Sequence, residues 1–492
     1  MLVSLYVLCS IVLAFVRAPQ DDEGQFANAA VAFATEGRLK MPMWSDWIAS
    51  LDRTMFITMP LYFIQLAGWA SLFGTSLYLV RLDSILWGLL LVLSWYGILR
   101  TLSPGFPAIP VLGLVFIAGN YDVMNLTSGR YDPMVAALNA AGMFAYLYWR
   151  RSNLLHAVIA SNIFLALSAV THPYALFGIV GLGIFALVLD HSRFSFRLLA
   201  WAAMPYVITL GAWSLYVAQY PQDFAEQISV NSIDRLRFLT SPMEAIRSDI
   251  VDRYVQGFAG FRPQTPVYMR AKGFLLVAYL AGFIGCMATP SIRRKPQWFA
   301  LWLYGLACFL ILMFLEGMRW YVYLVHALPA YGAVLAVWLG SLWPIEKWRT
   351  VIAAMALLFV LYSVATVVYR WQLNEYWTVY QPTMEYLQAH VRPGDLVMAS
   401  GEFGPGLGFR THVLSDRSYG MRNGLVPRFI VKDERDRREQ EAWKITNPAK
   451  LAHITQTLTR YRVVYESKPS ANQYTVYELD RPVQAPGESH MP

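Results

Sequence analysis

MLVSLYVLCSIVLAFVRAPQDDEG (residues 1–24) sets sixteen uncharged residues before Arg17, and then three consecutive acids, Asp21, Asp22 and Glu23. An apolar run of this length approaches the roughly 20 residues that a membrane-crossing helix needs. The acids stand where the apolar run gives way to polar chain. A charged group there is either solvated at the interface or held at the mouth of a cavity.

Runs of the same kind recur outward from this start. Expected spans lie at about 1–17, 75–99, 106–120, 133–149, 154–170, 173–190, 198–218, 271–289, 298–315, 320–342 and 350–369, about eleven in all. The 492 residues are 56% hydrophobic and 15% charged, whereas a soluble domain is about 25% charged. The sequence therefore reads as a polytopic α-helical membrane protein. The opening run lacks a basic leading segment, and a retained helix is expected rather than a cleaved leader. Cys9, Cys286 and Cys308 all fall in apolar runs, which suggests neither a disulfide framework nor a thiolate metal site.

Charge placement orients the chain. With a cytoplasmic N-terminus, the inward loops are RTLSP (100–104), RRSN (150–153), DHSRFSFR (190–197), SIRRKPQ (291–297) and EKWR (346–349). Each contains basic residues, as the positive-inside rule requires. The formal charge of +8 is thereby assigned to orientation, with membrane lipids and no nucleic acid as partners. The outer loops are 18–74, 121–132, the link near His172, 219–270 and EGMRW (316–320). The expected localisation is the cytoplasmic, or inner, membrane, multi-pass.

In the first outer loop EGQFANAAVAFATEG (23–37) suggests an interfacial helix ending at Gly37. MFITMPLYFIQLAGWASLFG (55–74) suggests a second, broken at Pro60. From residue 370 the pattern becomes that of an extracytoplasmic α/β domain, 370–492, following a membrane module over 1–369. Thr378–His390 reads as a helix, LVMAS (396–400), RYRVVYES (460–467) and YTVYELD (474–480) as strands, and GEFGPGLGF (401–409) as a glycine-rich turn. That turn lacks the Lys-Ser/Thr ending of a phosphate loop. VKDERDRREQEAWK (431–444) reads as a solvated helix and VQAPGESHMP (483–492) as a frayed tail.

The chemistry-bearing residues gather at the expected outer helix mouths. Asp21, Asp22 and Glu23 leave the first span, Arg130 and Asp132 precede the fourth, and His172 sits in the turn between the fifth and sixth. Glu316 and Arg319 lie at the mouth of the tenth, with His326 about two turns deeper. Such a set suits group transfer. A carboxylate takes a proton from an acceptor hydroxyl, while cations or a divalent metal stabilise a phosphate leaving group.

Four stretches carry a resemblance: PQDDEGQFANAAVAFATEGRL (19–39), GRYDPM (129–134), THPYALFG (171–178) and RWYVYLVHALPAYG (319–332). Together they resemble the GT-C membrane glycosyltransferases, in the branch of the dolichyl-phosphate-mannose protein mannosyltransferases and the aminoarabinose transferases. The resemblance implies transfer of a sugar, with inversion, from a polyprenyl-phosphate carrier to a cell-envelope lipid, glycan or protein acceptor outside the membrane. It places the acceptor-activating base on Asp22, with Glu23 beside it and Asp21 as the competing register. It places a second acid on Asp132 beside Arg130, which would organise the cavity or the acceptor, and a basic phosphate contact on Arg319, with His326 on the following helix. By side-chain chemistry alone, His172 or His326 could hydrogen-bond a phosphate.

One departure from the family pattern concerns FITMPLY (56–62), where an acid and a lysine before the proline are replaced by Thr58 and Met59. Asp46 or Asp52 could substitute as ligands of a divalent metal such as Mg or Mn, and lipid A becomes a less expected acceptor. Two rival readings remain. One is a lipid or glycolipid transporter or flippase, for which internal repeats and midplane polar helices would speak. The other is a non-catalytic envelope assembly protein that relies on its C-terminal domain.

Overall fold

The computed structural model describes residues 1–232, 241–262, 267–409 and 412–480. The expected frayed tail lies outside the described residues, as does part of loop 219–270. The main helices are α1 Leu2–Val16, α2 Asp21–Glu36, α3 Leu61–Phe73, α4 Leu77–Leu102, α5 Ala108–Ala118, α6 Asp132–Trp149, α7 Leu154–Ala169 and α8 Ala175–Asp190. They continue with α9 Phe196–Val217, α10 Gly273–Ala288, α11 Pro296–Leu315, α12 Leu328–Leu342, α13 Glu346–Leu373 and α14 Gln381–His390. Last come α15 Glu434–Thr446 and α16 Pro448–Leu458.

Among the described residues six helices are long and apolar enough to cross a membrane, or up to seven if a bent pair counts as one span. Four more of the expected spans or interfacial helices are shorter apolar helices: α3, α5, α7 and α12. The expected span at 320–342 divides, because Tyr321–His326 winds as a 3-10 turn before α12 starts at Leu328 with Pro329 in its first turn. Proline there costs the helix no hydrogen bond but prevents an α-helix from running through from before it.

The chain forms two compact units. The first comprises Met1–Leu13, Phe56–Tyr62 and Leu82–Tyr369. Its core is a continuous apolar cluster that includes Tyr6, Trp95, Phe116, Tyr146, Phe177, Tyr304 and Tyr331. Helix α9 stands apart in this unit, since none of its residues is buried. A helix apolar on all sides and covered by so little protein is what lipid contact requires.

The second unit comprises Ala14–Met55, Phe63–Arg81 and Arg370–Pro492, so the first expected outer loop, apart from Phe56–Tyr62, groups with the C-terminal residues. Its five strands are β1 Leu396–Met398, β2 His412–Leu414, β3 Phe429–Lys432, β4 Tyr461–Glu466 and β5 Thr475–Leu479. Their order in the sheet is β2-β1-β3-β5-β4. β1 pairs in parallel with β2 and β3, while β5 runs antiparallel to β3 and β4. The period-2 alternation of strands sorts the side chains between two cores. Val397, Phe429 and Val431 join Tyr380, Met384, Leu387 and Phe403 on one face, while Met398 and Ile430 join Leu414, Tyr419 and Ile454 on the other.

Helix α2 packs against the turn that follows β1. Its first turn holds all three acids, which the partial positive charge of a helix N-terminus favours. Gly37 closes the helix with φ 67°, a conformation glycine adopts without the Cβ penalty. Gly24 and Gly401 meet so closely that a Cβ on either would collide with the other segment's backbone. Gly24→Ala should therefore cost about 1–3 kcal/mol through overpacking and lower the melting temperature of the lipid-embedded protein. Gly68→Ala, on α3 with open space around its would-be Cβ, should leave that temperature unchanged or raise it.

Candidate functional site

In the first unit, four of the residues expected at the site converge. Asp132 opens α6, with Pro133 fixing the backbone of the first turn. Arg130 reaches it over a bend containing Gly129, which adopts φ 57°. Arg130 Nε donates to Asp132 Oδ2 at 2.8 Å, and His326 Nε2 lies 3.2 Å from Asp132 Oδ1. All three side chains are buried. In such surroundings a carboxylate keeps its charge only when paired and hydrogen-bonded, so Asp132 is bound into place from both oxygens.

An aromatic stack connects this cluster to His172. Tyr131 lies parallel to the His172 ring with centroids 4.3 Å apart. Tyr174 contacts the rings of both His172 and His326, at 4.3 and 4.9 Å. The Tyr174 backbone N–H donates to His172 Nδ1 at 3.2 Å. A neutral imidazole that accepts at Nδ1 carries its proton on Nε2, which defines the tautomer.

His172, Tyr174 and Phe177 also line a cavity of about 690 Å³. Its walls are largely apolar, with Trp213, Phe224 and Leu312 among them and Glu316 at their polar edge. Thr58 and Met59, the positions that depart from the family pattern, line it as well. This stretch is held to the helix Pro221–Ser232 by backbone contacts. Phe56 N–H donates to Gln227 Oε1, and Asn231 Nδ2 donates to the Ile57 carbonyl.

Arg319 is not brought to Asp132. Its backbone N–H bonds Glu316 Oε2 at 2.9 Å, and its guanidinium donates to Ser248 Oγ and to the Glu316 carbonyl. It lines a separate cavity of about 360 Å³ with Glu244, Ser248 and Asp252. Its φ of 57° is unusual for a residue with a Cβ. The cation that meets Glu316 side chain to side chain is Arg253, at 2.9 Å, which also pairs with Asp249 at 2.7 Å. Sequence reasoning missed Arg253. The Asp-x-x-x-Arg spacing in DIVDR (249–253) was the available signal, since residues four apart share a helix face.

In the second unit the three acids divide their roles. Glu23 has no exposed surface. Arg81 Nε bonds its Oε2 at 2.7 Å, while Arg17 Nη2 and Arg81 Nη2 bond its Oε1 at 2.8 and 3.2 Å. Arg81 also donates to the carbonyls of Ala14 and Arg17. Asp21 Oδ1 accepts from the Gly401 N–H at 2.5 Å, and its Oδ2 lies 3.4 Å from Arg417. Asp22, between them, is partly exposed. Arg17 and Arg81 were not among the expected site residues, although an arginine inside an apolar run is a sign of a buried partner.

The two carboxylates expected as metal ligands stand differently. Asp46 accepts from Asn423 Nδ2 at 2.9 Å and from Ser418 at 3.5 Å. Burial and the neighbouring Asp416 carboxyl push its pKa up to about 6. Asp52 is exposed. Among the described residues no group of three or more His, Cys, Asp or Glu side chains is arranged to hold a metal ion.

No family model matches the chain, and no curated protein matches it. Solved structures do. ArnT from Cupriavidus metallidurans bound to undecaprenyl phosphate has a TM-score of 0.60 at 14% identity, covering 97% of both chains. The oligosaccharyltransferase of Archaeoglobus fulgidus in its apo form has a TM-score of 0.54 at 12% identity, over 94% of this chain and 72% of that one. The archaeal enzyme AglB from the same organism, in complex with an inhibitory peptide and a dolichol-phosphate, gives 0.51 at 12% identity, over 100% of this chain and 74% of that one. The chain thus resembles the GT-C glycosyltransferases in fold, as the sequence stretches implied.

Glu23→Gln removes a charge that two buried arginines share. It should destabilise the protein by about 3–5 kcal/mol, the usual consequence of breaking a buried pair from one side, read as a fall in unfolding temperature in lipid.

Proposed function

We propose that the protein is an inverting glycosyltransferase. It moves a sugar from a polyprenyl-phosphate carrier to a cell-envelope lipid, glycan or protein acceptor on the outer side of the inner membrane. The observation that carries this reading is the apolar cavity of the first unit with His172 and Glu316 at its polar edge. A polyprenyl chain offers no hydrogen bonds, so it needs a wall of side chains such as Trp213, Phe224 and Leu312. Its phosphate needs donors, and His172 with its proton on Nε2 is one of the right kind. Two of the structures with a similar fold contain polyprenyl phosphates, which supports the same donor class.

The reaction in this reading is a single displacement. The acceptor oxygen forms a bond to the anomeric carbon as the bond from that carbon to the phosphate oxygen breaks. The electron pair leaves with the polyprenyl phosphate, and the acceptor proton passes to a carboxylate. Asp22 is the residue assigned as base. It is partly exposed in the first turn of α2, between Asp21 and Glu23. Asp132 orders the donor side, because it fixes Arg130 and His326 together. Glu23 holds the first turn of α2.

The test is transfer of labelled sugar from a panel of polyprenyl-phosphate sugars to envelope acceptors, using full-length protein in lipid. Asp22→Asn should lower kcat by about 10²–10⁴-fold, the range typical of a missing general base, with the protein still folded. Ser214→Trp, which fills the cavity from α9, should raise the donor KM about tenfold or more and affect kcat less. Full activity in Asp22→Asn and Asp132→Asn alike would end this assignment.

A further inference from the structure

Beside the docked N-terminus of α2 lies a buried acid that the reaction does not use. Glu402 is 3% exposed and follows Gly401, whose N–H holds Asp21. Glu402 Oε1 lies 2.8 Å from Ser400 Oγ and 3.0 Å from the Tyr474 hydroxyl, and Tyr380 donates to its carbonyl. Its Oε2 is buried with no hydrogen-bond partner among the described residues.

Its charged surroundings are mainly acidic. Asp21 faces it from α2, and Asp433 from the N-cap of α15. Arg417 is shared among Asp21, Asp436 and Glu439, and Arg435 turns to Asp21 and Glu439. An ionised Glu402 would thus be a buried charge without a cation of its own, which is strongly disfavoured.

The hydroxyl of Ser400 adds a geometric argument. It lies 3.3 Å from Asp433 Oδ2 as well as 2.8 Å from Glu402. One hydroxyl proton cannot serve two carboxylates. With Glu402 protonated the conflict vanishes, because Glu402 donates to Ser400 and Ser400 donates to Asp433.

We infer that Glu402 is a positioning residue that acts as a neutral carboxyl, keeping the first turn of α2, and with it Asp22, seated on the Ser400–Gly404 turn. The catalytic consequence rests on the reading of Asp22 as base. Ionising Glu402 would set a second negative charge beside Asp21, whose contacts with the Gly401 N–H and Arg417 seat the helix. Burial, Asp21 and Asp433 raise the pKa of Glu402 to about 8, in line with the geometry. The sign follows from linkage. A carboxyl with a raised pKa in the seated state favours that state fully at low pH, and this contribution is lost as pH rises through about 8.

The experiment is hydrogen–deuterium exchange of α2 in the full-length protein in lipid, at values from about pH 6 to about pH 9 and corrected for intrinsic exchange. Protection of α2 should fall as pH climbs toward about 8 and then level off, whereas Glu402→Gln should show no such fall. Tyr474→Phe, which removes a donor to the carboxylate, should move the fall to higher pH, and this variant serves if the first does not fold. In the transfer assay, kcat of the parent should fall over the same pH range as the protection of α2 and level off with it. Glu402→Gln should keep its rate there, with the donor KM unmoved. An unchanged fall in Glu402→Gln overturns the inference. So does a fall that Asp436→Asn alone removes, since that acid is pushed up to about 7. Exchange that follows Glu402 in a protein that transfers no sugar would sustain the seating and refute the function. Transfer without any pH response of α2 would do the reverse.

Discussion

Two arginines closing on one carboxylate with no exposed surface set the terms for the second unit. Glu23 receives Arg17 and Arg81, and Arg81 spends its remaining donors on the carbonyls of Ala14 and Arg17. The carboxylate accepts from both guanidinium groups, and such pairing is the condition for keeping charge where water is absent. The network joins the end of α1, the start of α2 and the start of α4, three segments separate in sequence. With these ends fixed, α2 has a defined direction, and Gly24 can meet Gly401 without an intervening side chain.

The first unit solves a related problem with rings. Asp132 is paired with Arg130 and His326, and Tyr131, His172 and Tyr174 fill the space around that pair. Aromatic side chains bury a large area at low entropic cost, and their edges and faces tolerate polar neighbours. Two of these rings, His172 and Tyr174, also line the cavity, so a polar cluster and an apolar groove share part of one lining.

Much of this was legible in the sequence, for identifiable reasons. Long apolar runs announced the spans, although short ones such as Ala108–Ala118 show that apolar length alone does not measure a helix. The strands at 396–398, 461–466 and 475–479 were readable from their β-branched and aromatic residues, whereas β3 was hidden in VPRFIVKDE, where a charged helix follows at once. Of the candidate site, GRYD, THPY and LVH pointed to Arg130, Asp132, His172 and His326 because polar residues inside apolar runs are conspicuous. Arg319 shows the limit of that logic, since its side chain turns to Ser248 while Arg253 takes the Glu316 carboxylate. Partner choice depends on backbone conformation, here a left-handed residue at 319, which no spacing reveals. Glu402 was read as part of a glycine-rich turn, and only the fold surrounds it with Asp21 and Asp433.

Helix α9 supplies Trp213, Ser214 and Val217 to the cavity wall while burying none of its own residues. Its proline at position 205 further removes one internal hydrogen bond. The outer surface of that wall is therefore finished by the surrounding medium, and the protein supplies only half of the packing. Acyl-chain length and lateral pressure become parameters of the cavity's width, and an exchange of bilayer for detergent changes the molecule's interior as well as its solvent.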